Sequence, residues 1–384
     1  MSIIYSYQRP NLTFKKEFKM KKTLLAITVL AVLSACNSTT TESTQVAPSA
    51  STNTEVATLA TFFNDSGTVV TPTTYPTDET SHQMLKNQDL VGVNQLLHKR
   101  QLTPTDNQPV VRMNRDTYYS FAVVDVSKGA TITMPAIPEG KYMSVQPVTE
   151  DHRIQAMQYG EGSFDLSTHT GDHLYVVIRL DATFTEAEAK KYQDQMKISA
   201  NSSRKFTATP VNKASFDTVE KALKAQMPAI FKRDGVEALT GMFTDPRGQS
   251  NKLFSTEKYQ VGAAIGWGGA QIVDNIYEVS GNYPSNICHQ ATFEDPKNKA
   301  FWSITVYDKN GFMFNDLANV SSNTATVNKE GTYTVSFGCG SDAPNNIAIA
   351  NDTKMFNLGI RHYMPSDKVS KEGYRLLPSV KAKK

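Results

Sequence analysis

Four short segments rich in aromatic and β-branched residues follow one another closely between Thr117 and Leu180, and nothing else in the chain limits its fold as tightly. Thr117–Val126, Ala130–Met134, Tyr142–Val148 and Leu174–Leu180 are separated by Lys128-Gly129, Pro138-Glu139-Gly140 and Thr170-Gly171-Asp172. Short strands punctuated by turn signals predict an antiparallel sandwich or barrel. The pattern returns in Phe301–Asp308, Thr332–Phe337 and Met355–Tyr363. Asn310-Gly311 between Val306-Tyr307-Asp308 and Phe312-Met313-Phe314 predicts a hairpin, because both turn positions tolerate positive φ. Tyr333, Val335 and Phe337 alternate with Thr332, Thr334 and Ser336, which predicts one buried and one wetter face.

Between and before these regions the period changes. Met84, Leu85, Leu90, Val91, Val93, Leu96 and Leu97 recur at three- and four-residue steps and predict a helix over 78–100, ended by Pro104. Helices are also predicted over 185–198 and 215–243. Thr185-Glu186-Ala187-Glu188 is a capped start, and Pro228 and Gly235 break the second helix. The fold class is therefore mainly β with helical connectors (α+β), in two antiparallel β-sandwich or jelly-roll-like domains. The boundaries read as a first β domain over 62–184, a helical connector over 185–260 and a second β domain over 261–384. Tyr119-Ser120-Phe121 echoes Trp302-Ser303-Ile304, and Met143-Ser144-Val145 is a second match; duplication and the ordinary look of amphipathic strands both account for this.

Residues 1–35 read as leader and signal peptide. Met20-Lys21-Lys22, the apolar run Thr23–Val32 and Leu33-Ser34-Ala35-Cys36 give a basic start, a core of about 10 apolar residues and small residues before a cysteine. The run is too short to span a bilayer, which takes about 20 residues. Leu-Ser-Ala-Cys resembles a bacterial lipobox, so Cys36 is expected to carry lipid. The expected location is the envelope, outer membrane facing the periplasm, with the membrane as partner through that lipid. Residues 36–61, rich in Ser and Thr, read as a tether unable to bury enough surface to offset its ordering entropy. The leader carries six basic residues and one acid, so the chain's +3 becomes −2 once it is removed. A nucleic-acid partner is therefore not expected. Beyond Cys36, Cys288 and Cys339 form an even pair that an oxidising compartment would join.

Asn114-Arg115-Asp116-Thr117-Tyr118-Tyr119-Ser120 and Tyr142-Met143-Ser144-Val145-Gln146 resemble the domain of unknown function 1254. Phe301-Trp302-Ser303-Ile304-Thr305-Val306-Tyr307-Asp308 with Gly311-Phe312, Phe356–Pro365 and Tyr374–Pro378 resemble the domain of unknown function 1214. The resemblance implies two jelly-roll-like sandwiches joined by helices, often in secreted or envelope proteins, some loosely described as hydrolases.

The candidate chemistry sits at strand ends. Arg112, Arg115 and Asp116, flanked by Asn114 and the pair Tyr118-Tyr119, could clamp an anionic or sugar ligand through charge-assisted hydrogen bonds from an Arg and an Asp at a strand mouth. The same set suits a buried polar cluster equally, since long charged side chains are seldom buried unpaired. His152, flanked by Asp151 and Arg153, is a candidate general acid or base, with Asp116 and Asp151 as the acids. Trp302 offers a flat face to a ligand. His169 and His173 straddle a turn signal, and no metal or cofactor is expected. Gly262–Gly269 and Gly338-Cys339-Gly340 lack the strand–helix context of a phosphate loop and read as close backbone packing. Three functions fit: an envelope hydrolase acting on a glycan or ester, a non-catalytic carbohydrate-binding module, and an envelope assembly protein that could form homo-oligomers. The resemblance leans to the first.

Overall fold

The computed structural model describes residues 56–108 and 111–383. The leader, Cys36 and residues 37–55 of the expected tether lie outside the described residues. The last residues of that tether are docked: Ala57 is buried and donates its N–H to the Ala208 carbonyl at 2.8 Å, and Phe62, the residue that follows the tether, is fully buried.

Two sets of six strands carry the fold, and they pair antiparallel. The first set is β1 (Thr117–Asp125), β2 (Ala130–Met134), β3 (Met143–Thr149), β4 (Gly162–Leu166), β5 (His173–Asp181) and β6 (Lys197–Ala200). The second is β7 (Asn275–Val279), β8 (His289–Glu294), β9 (Trp302–Asp308), β10 (Thr332–Phe337), β11 (Met355–Tyr363) and β12 (Val380–Ala382). In the first sandwich β1-β5-β3 faces β4-β2-β6; in the second β7-β11-β9 faces β10-β8-β12. Each strand n has its counterpart at n + 6.

The register repeats as well. Tyr119 and Ser144 flank Arg179 on the central strand β5, and Tyr277 and Ser303 flank Arg361 on β11. Asp181 donates its N–H to the Tyr142 carbonyl, and Tyr363 donates its own to Phe301. The fold is thus built twice. The sequence echo belongs to its second match: Met143-Ser144-Val145 is the counterpart of Trp302-Ser303-Ile304, whereas Tyr119 corresponds to Tyr277.

Alternation explains the layers. Leu174, Val176, Ile178 and Leu180 of β5 point into the first sandwich, with Ile132, Met134 and Val145. Tyr175 and Val177 point outward and are covered by α1 (Tyr75–Val91), α3 (Lys213–Lys224), α4 (Met227–Asp234) and α5 (Thr256–Gly266). The second sandwich packs Trp302, Ile304, Val306, Phe337, Phe356, Leu358 and Ile360. Pro228 starts α4 and Gly235 ends it.

Several expected boundaries shift. α1 stops at Val91 because Gly92 adopts φ 85°, and Leu97 pairs with Phe121 as a short strand instead of extending the helix. α2 (Glu186–Gln193) has the expected capping box at Thr185 and Glu188 but ends before Ile198, which joins β6 and pairs with Ile132. The first sandwich therefore runs on to Ala200, and the connector begins after it. Asp308 and Gly311 close the expected tight turn, but the strand that returns to pair with β9 is Asn319–Ser321, not 312–314. Cys288 and Cys339 are joined, stapling the start of β8 to the end of β10.

One buried carboxylate ties the two sandwiches together. Asp116, just ahead of β1, accepts from Ser303 Oγ at 2.6 Å, Tyr363 Oη at 3.0 Å and Asn319 Nδ2 at 3.0 Å, and Arg361 Nη1 lies at 4.0 Å. Asp274, its counterpart ahead of β7, reaches the other way and accepts from Tyr159 Oη at 2.8 Å and the Met157 N–H at 3.1 Å. Asp116→Ala strands Arg361 as a buried cation. We expect it to cost about 3–5 kcal/mol in denaturant unfolding; a change within about 0.5 kcal/mol, as at an ordinary surface position, would refute the clasp.

Candidate functional site

A cavity of about 1010 Å³ lies where the outer face of the first sheet, the helical section and the outer face of the second sheet meet. It is at the upper end of the range of about 300–1000 Å³ that suits small-molecule ligands. Strands β1 and β5 contribute Tyr119, Phe121, Val177 and Arg179; β7 and β11 contribute Tyr277, Val279, Gly359 and Arg361. Leu90, Met227, Phe231, Met242, Phe243, Ile265 and Trp267 make the helical wall predominantly apolar. The cavity opens to solvent beside Leu90, Lys99, Lys309 and Asn310, all exposed.

Three lining arginines are placed by the sheets. Arg179 donates Nη1 to Gln146 Oε1 at 3.0 Å and stands over the Tyr119 ring at 5.8 Å. Arg361 donates to Thr305 Oγ1 at 3.1 Å, and at 2.8 Å to both the Arg112 carbonyl and Tyr307 Oη. Arg112 donates Nη1 to Asn357 Oδ1 at 3.0 Å and adopts φ 59°. Burial lowers the Arg112 pKa. Lys86, Lys99, Lys224 and Lys309 add further positive charge to the lining, Lys224 being paired with Glu220 on its own helix. Among the described residues Glu278 is the one acid in the lining, and its oxygens already accept from His362 Nε2 and the Leu376 and Leu377 N–H groups, each at 2.8 Å.

The glycine run forms part of the wall, as close packing. A Cβ on Gly262 would sit 3.0 Å from Met242 Cβ, and one on Gly269 would meet the Phe243 ring at 2.4 Å. The Gly268 carbonyl accepts from Gln146 Nε2 at 2.8 Å, and its N–H donates to His152 Nε2 at 3.0 Å.

The residues singled out from sequence do not converge. Of the cluster at the start of β1, Arg112, Asn114 and Tyr119 line the cavity, and the other candidates do not. Asp116 is consumed by the clasp. Tyr118 points into the first sandwich and donates to the Phe184 carbonyl at 3.0 Å, because it sits one residue out of phase with Tyr119. Trp302 is 1% exposed inside the second core and presents no face to a ligand. Arg115 is turned away from the cavity, donating to the Thr103 carbonyl at 2.7 Å and to the exposed Asp316 at 3.1 Å. Asp151 accepts from Thr149 Oγ1 at 2.5 Å and pairs with His169 at 2.9 Å, not with His152. His173 bonds the Arg204 carbonyl at 2.9 Å. Among the described residues no group of three or more His, Cys, Asp or Glu is placed to hold a metal ion.

Because His152 Nε2 accepts from Gly268, its proton sits on Nδ1, which is buried with no partner among the described residues. Burial lowers the pKa of this imidazole to about 3, so it is neutral across the range where a general acid or base would work. The sequence reading missed Arg179, Arg361, Asp274 and Tyr277. The signal was there in Ile178-Arg179-Leu180 and Ile360-Arg361-His362, where an arginine interrupts an apolar strand.

This is a duplicated β-sandwich with a helical insert and one large, predominantly apolar cavity lined by basic residues. Two family models match the chain in order: residues 93–153 match DUF1254 and residues 284–367 match DUF1214, both described as proteins of unknown function. The Asp116 clasp runs from one matched segment into the other. The crystal structure of VPA0106 from Vibrio parahaemolyticus superposes with a TM-score of 0.58 at 16% identity, over 82% of this chain and 98% of that one. An uncharacterized protein from Burkholderia cenocepacia superposes at 0.48 and 12% identity, over 76% and 84%. A comparison with curated proteins finds no match.

His152 makes acid stability testable. An unfolded histidine titrates near 6.5 while the folded one stays neutral to about 3, so protons favour the unfolded state between those values. Stability should be intact above pH 6.5 and fall by up to about 1.4 kcal/mol per pH unit as pH drops toward 3. His98, lowered to about 4 by burial and Arg100, adds to the same slope. Urea melts of wild type and His152→Gln should show a shallower acid slope in the variant; identical slopes would show that His152 ionises freely in the fold.

Proposed function

We propose that this chain is a lipid-anchored protein of the bacterial envelope that holds a small, largely apolar molecule in the cavity between its sandwiches. The observation that carries the binding reading is the cavity: a space of about 1010 Å³ walled by aliphatic and aromatic side chains on a rigid double-sheet frame. Binding is favoured over hydrolysis because Asp116, Asp151 and His152, the groups a hydrolase was expected to use, are held by other protein groups and do not line that space. The anchoring reading rests on the sequence from Met20 to Cys36, and Cys36→Ser should leave the protein unprocessed or released on fractionation.

The test of binding is titration of the full chain with N-phenyl-1-naphthylamine, a dye that fluoresces in apolar surroundings. Saturable enhancement is expected, and Val279→Trp, which adds bulk to the β7 wall, should weaken it at least about tenfold. Enhancement that is absent, or unchanged in Val279→Trp, would overturn the reading.

A further inference from the structure

The cavity wall carries a cation with no directly paired carboxylate among the described residues, and Asp274 acts on it only at longer range. Arg179 is 7% exposed, in the middle of strand β5, and among the described residues no carboxylate lies within 4 Å of it. Its Nη1 is held by Gln146; Nε and Nη2 make no hydrogen bond to any described residue. Buried charges are rarely left unpaired, because the loss of hydration is recovered only from an opposite charge or a full set of hydrogen bonds. The repeat makes the contrast internal. Arg361, the counterpart of Arg179 on β11, has Asp116 at 4.0 Å and donates to Thr305, Tyr307 and the Arg112 carbonyl. Asp274, the acid equivalent to Asp116, instead stays beyond 4 Å of Arg179 and is held by Tyr159 and the Met157 N–H.

Resting on the cavity reading above, we propose that Arg179 is the recognition group for the acid end of the ligand, and that the ligand is a long-chain carboxylic acid. The Nε–Nη2 edge of a guanidinium matches the two oxygens of one carboxylate in a bidentate pair. Nη1 is locked by Gln146, and Gln146 is locked in turn by the Gly268 carbonyl, so that edge is set before a ligand arrives. Tyr277, opposite Arg361 in the register, accepts from the Ala270 N–H at 3.0 Å and keeps its own O–H to give. The lining around these donors is positive, since its one carboxylate, Glu278, is already engaged. The rest of the wall is apolar and suits an alkyl chain rather than a sugar, whose hydroxyls would need partners throughout.

The experiment uses the full chain stripped of bound lipid and follows displacement of N-phenyl-1-naphthylamine by palmitate, methyl palmitate and hexadecanol, which share one tail. Palmitate should displace the dye at least about tenfold more tightly than the ester or the alcohol, as a charged hydrogen-bond pair warrants. In Arg179→Gln that preference should collapse toward one. Equal affinity for acid, ester and alcohol in wild type would overturn the acid site while leaving the cavity reading standing. Dye binding with no displacement by any of the three would overturn the ligand class. No dye binding at all would overturn the cavity reading, and this proposal with it. An Arg179→Gln protein that still prefers palmitate tenfold refutes the role of Arg179. Should that variant fail to fold, the wild-type acid, ester and alcohol series still decides.

Discussion

A carboxylate removed from water and gripped by a serine, a tyrosine and an asparagine of the other sandwich fixes where the two halves meet. Asp116 does this from the strand entering β1, and Asp274 answers from the strand entering β7. Each acid is satisfied only when the opposite half is in place. Between them Tyr142, Phe301 and Tyr363 form a small apolar cluster, with Phe301 and Tyr363 stacked at 4.2 Å between ring centroids. Burial raises the Asp274 pKa despite its hydrogen bonds. The junction therefore rests on desolvated polar groups whose partners come from across it, which makes its geometry specific as well as stable.

That junction also explains why a cavity exists. An isolated sandwich wets its outer faces, and the outer faces here carry Arg179, Ser144 and Gln146 in one half and Arg361, Ser303 and Thr305 in the other. Turned toward each other, these faces cannot close as a dry core. The repeat is then broken by the segment between β6 and β7, which lays α3, α4 and α5 over the first sheet and brings Phe231, Met242 and Phe243 to the gap. An apolar wall set against polar sheet faces leaves a space whose chemistry is two-sided.

Much of the architecture was legible before any coordinate, because strand period, turn residues and the Thr185–Glu188 cap act locally. β9, β10 and β11 fall within a residue of where alternation puts them. Pairing of Cys288 with Cys339 followed from their even count and the compartment expected from the leader. What could not be read was direction in space. Tyr118 and Tyr119 are alike in sequence, yet one faces the core and the other the cavity, a difference of phase that only sheet packing settles. Arg115 drew attention as part of a motif, but its neighbour Asp116 makes the long-range contacts, to Ser303, Asn319 and Tyr363. The arginines that line the cavity sit far apart in sequence, at 179 and 361, and meet only because the halves repeat.

The back wall of the cavity shows how the two kinds of information join. Gln146 closes one family motif, and Gly268 lies in a glycine run that carries no motif. In the fold Gln146 holds both Arg179 and the Gly268 carbonyl, while His152 holds the Gly268 N–H. Gly269 stays glycine because Phe243 occupies the space of its Cβ, so the loop cannot retreat. Orientation of the arginine, position of the wall and neutrality of the buried histidine thus form one chain of hydrogen bonds. Protonating His152 removes the acceptor for Gly268, so acid strong enough to charge this imidazole loosens the wall behind Arg179.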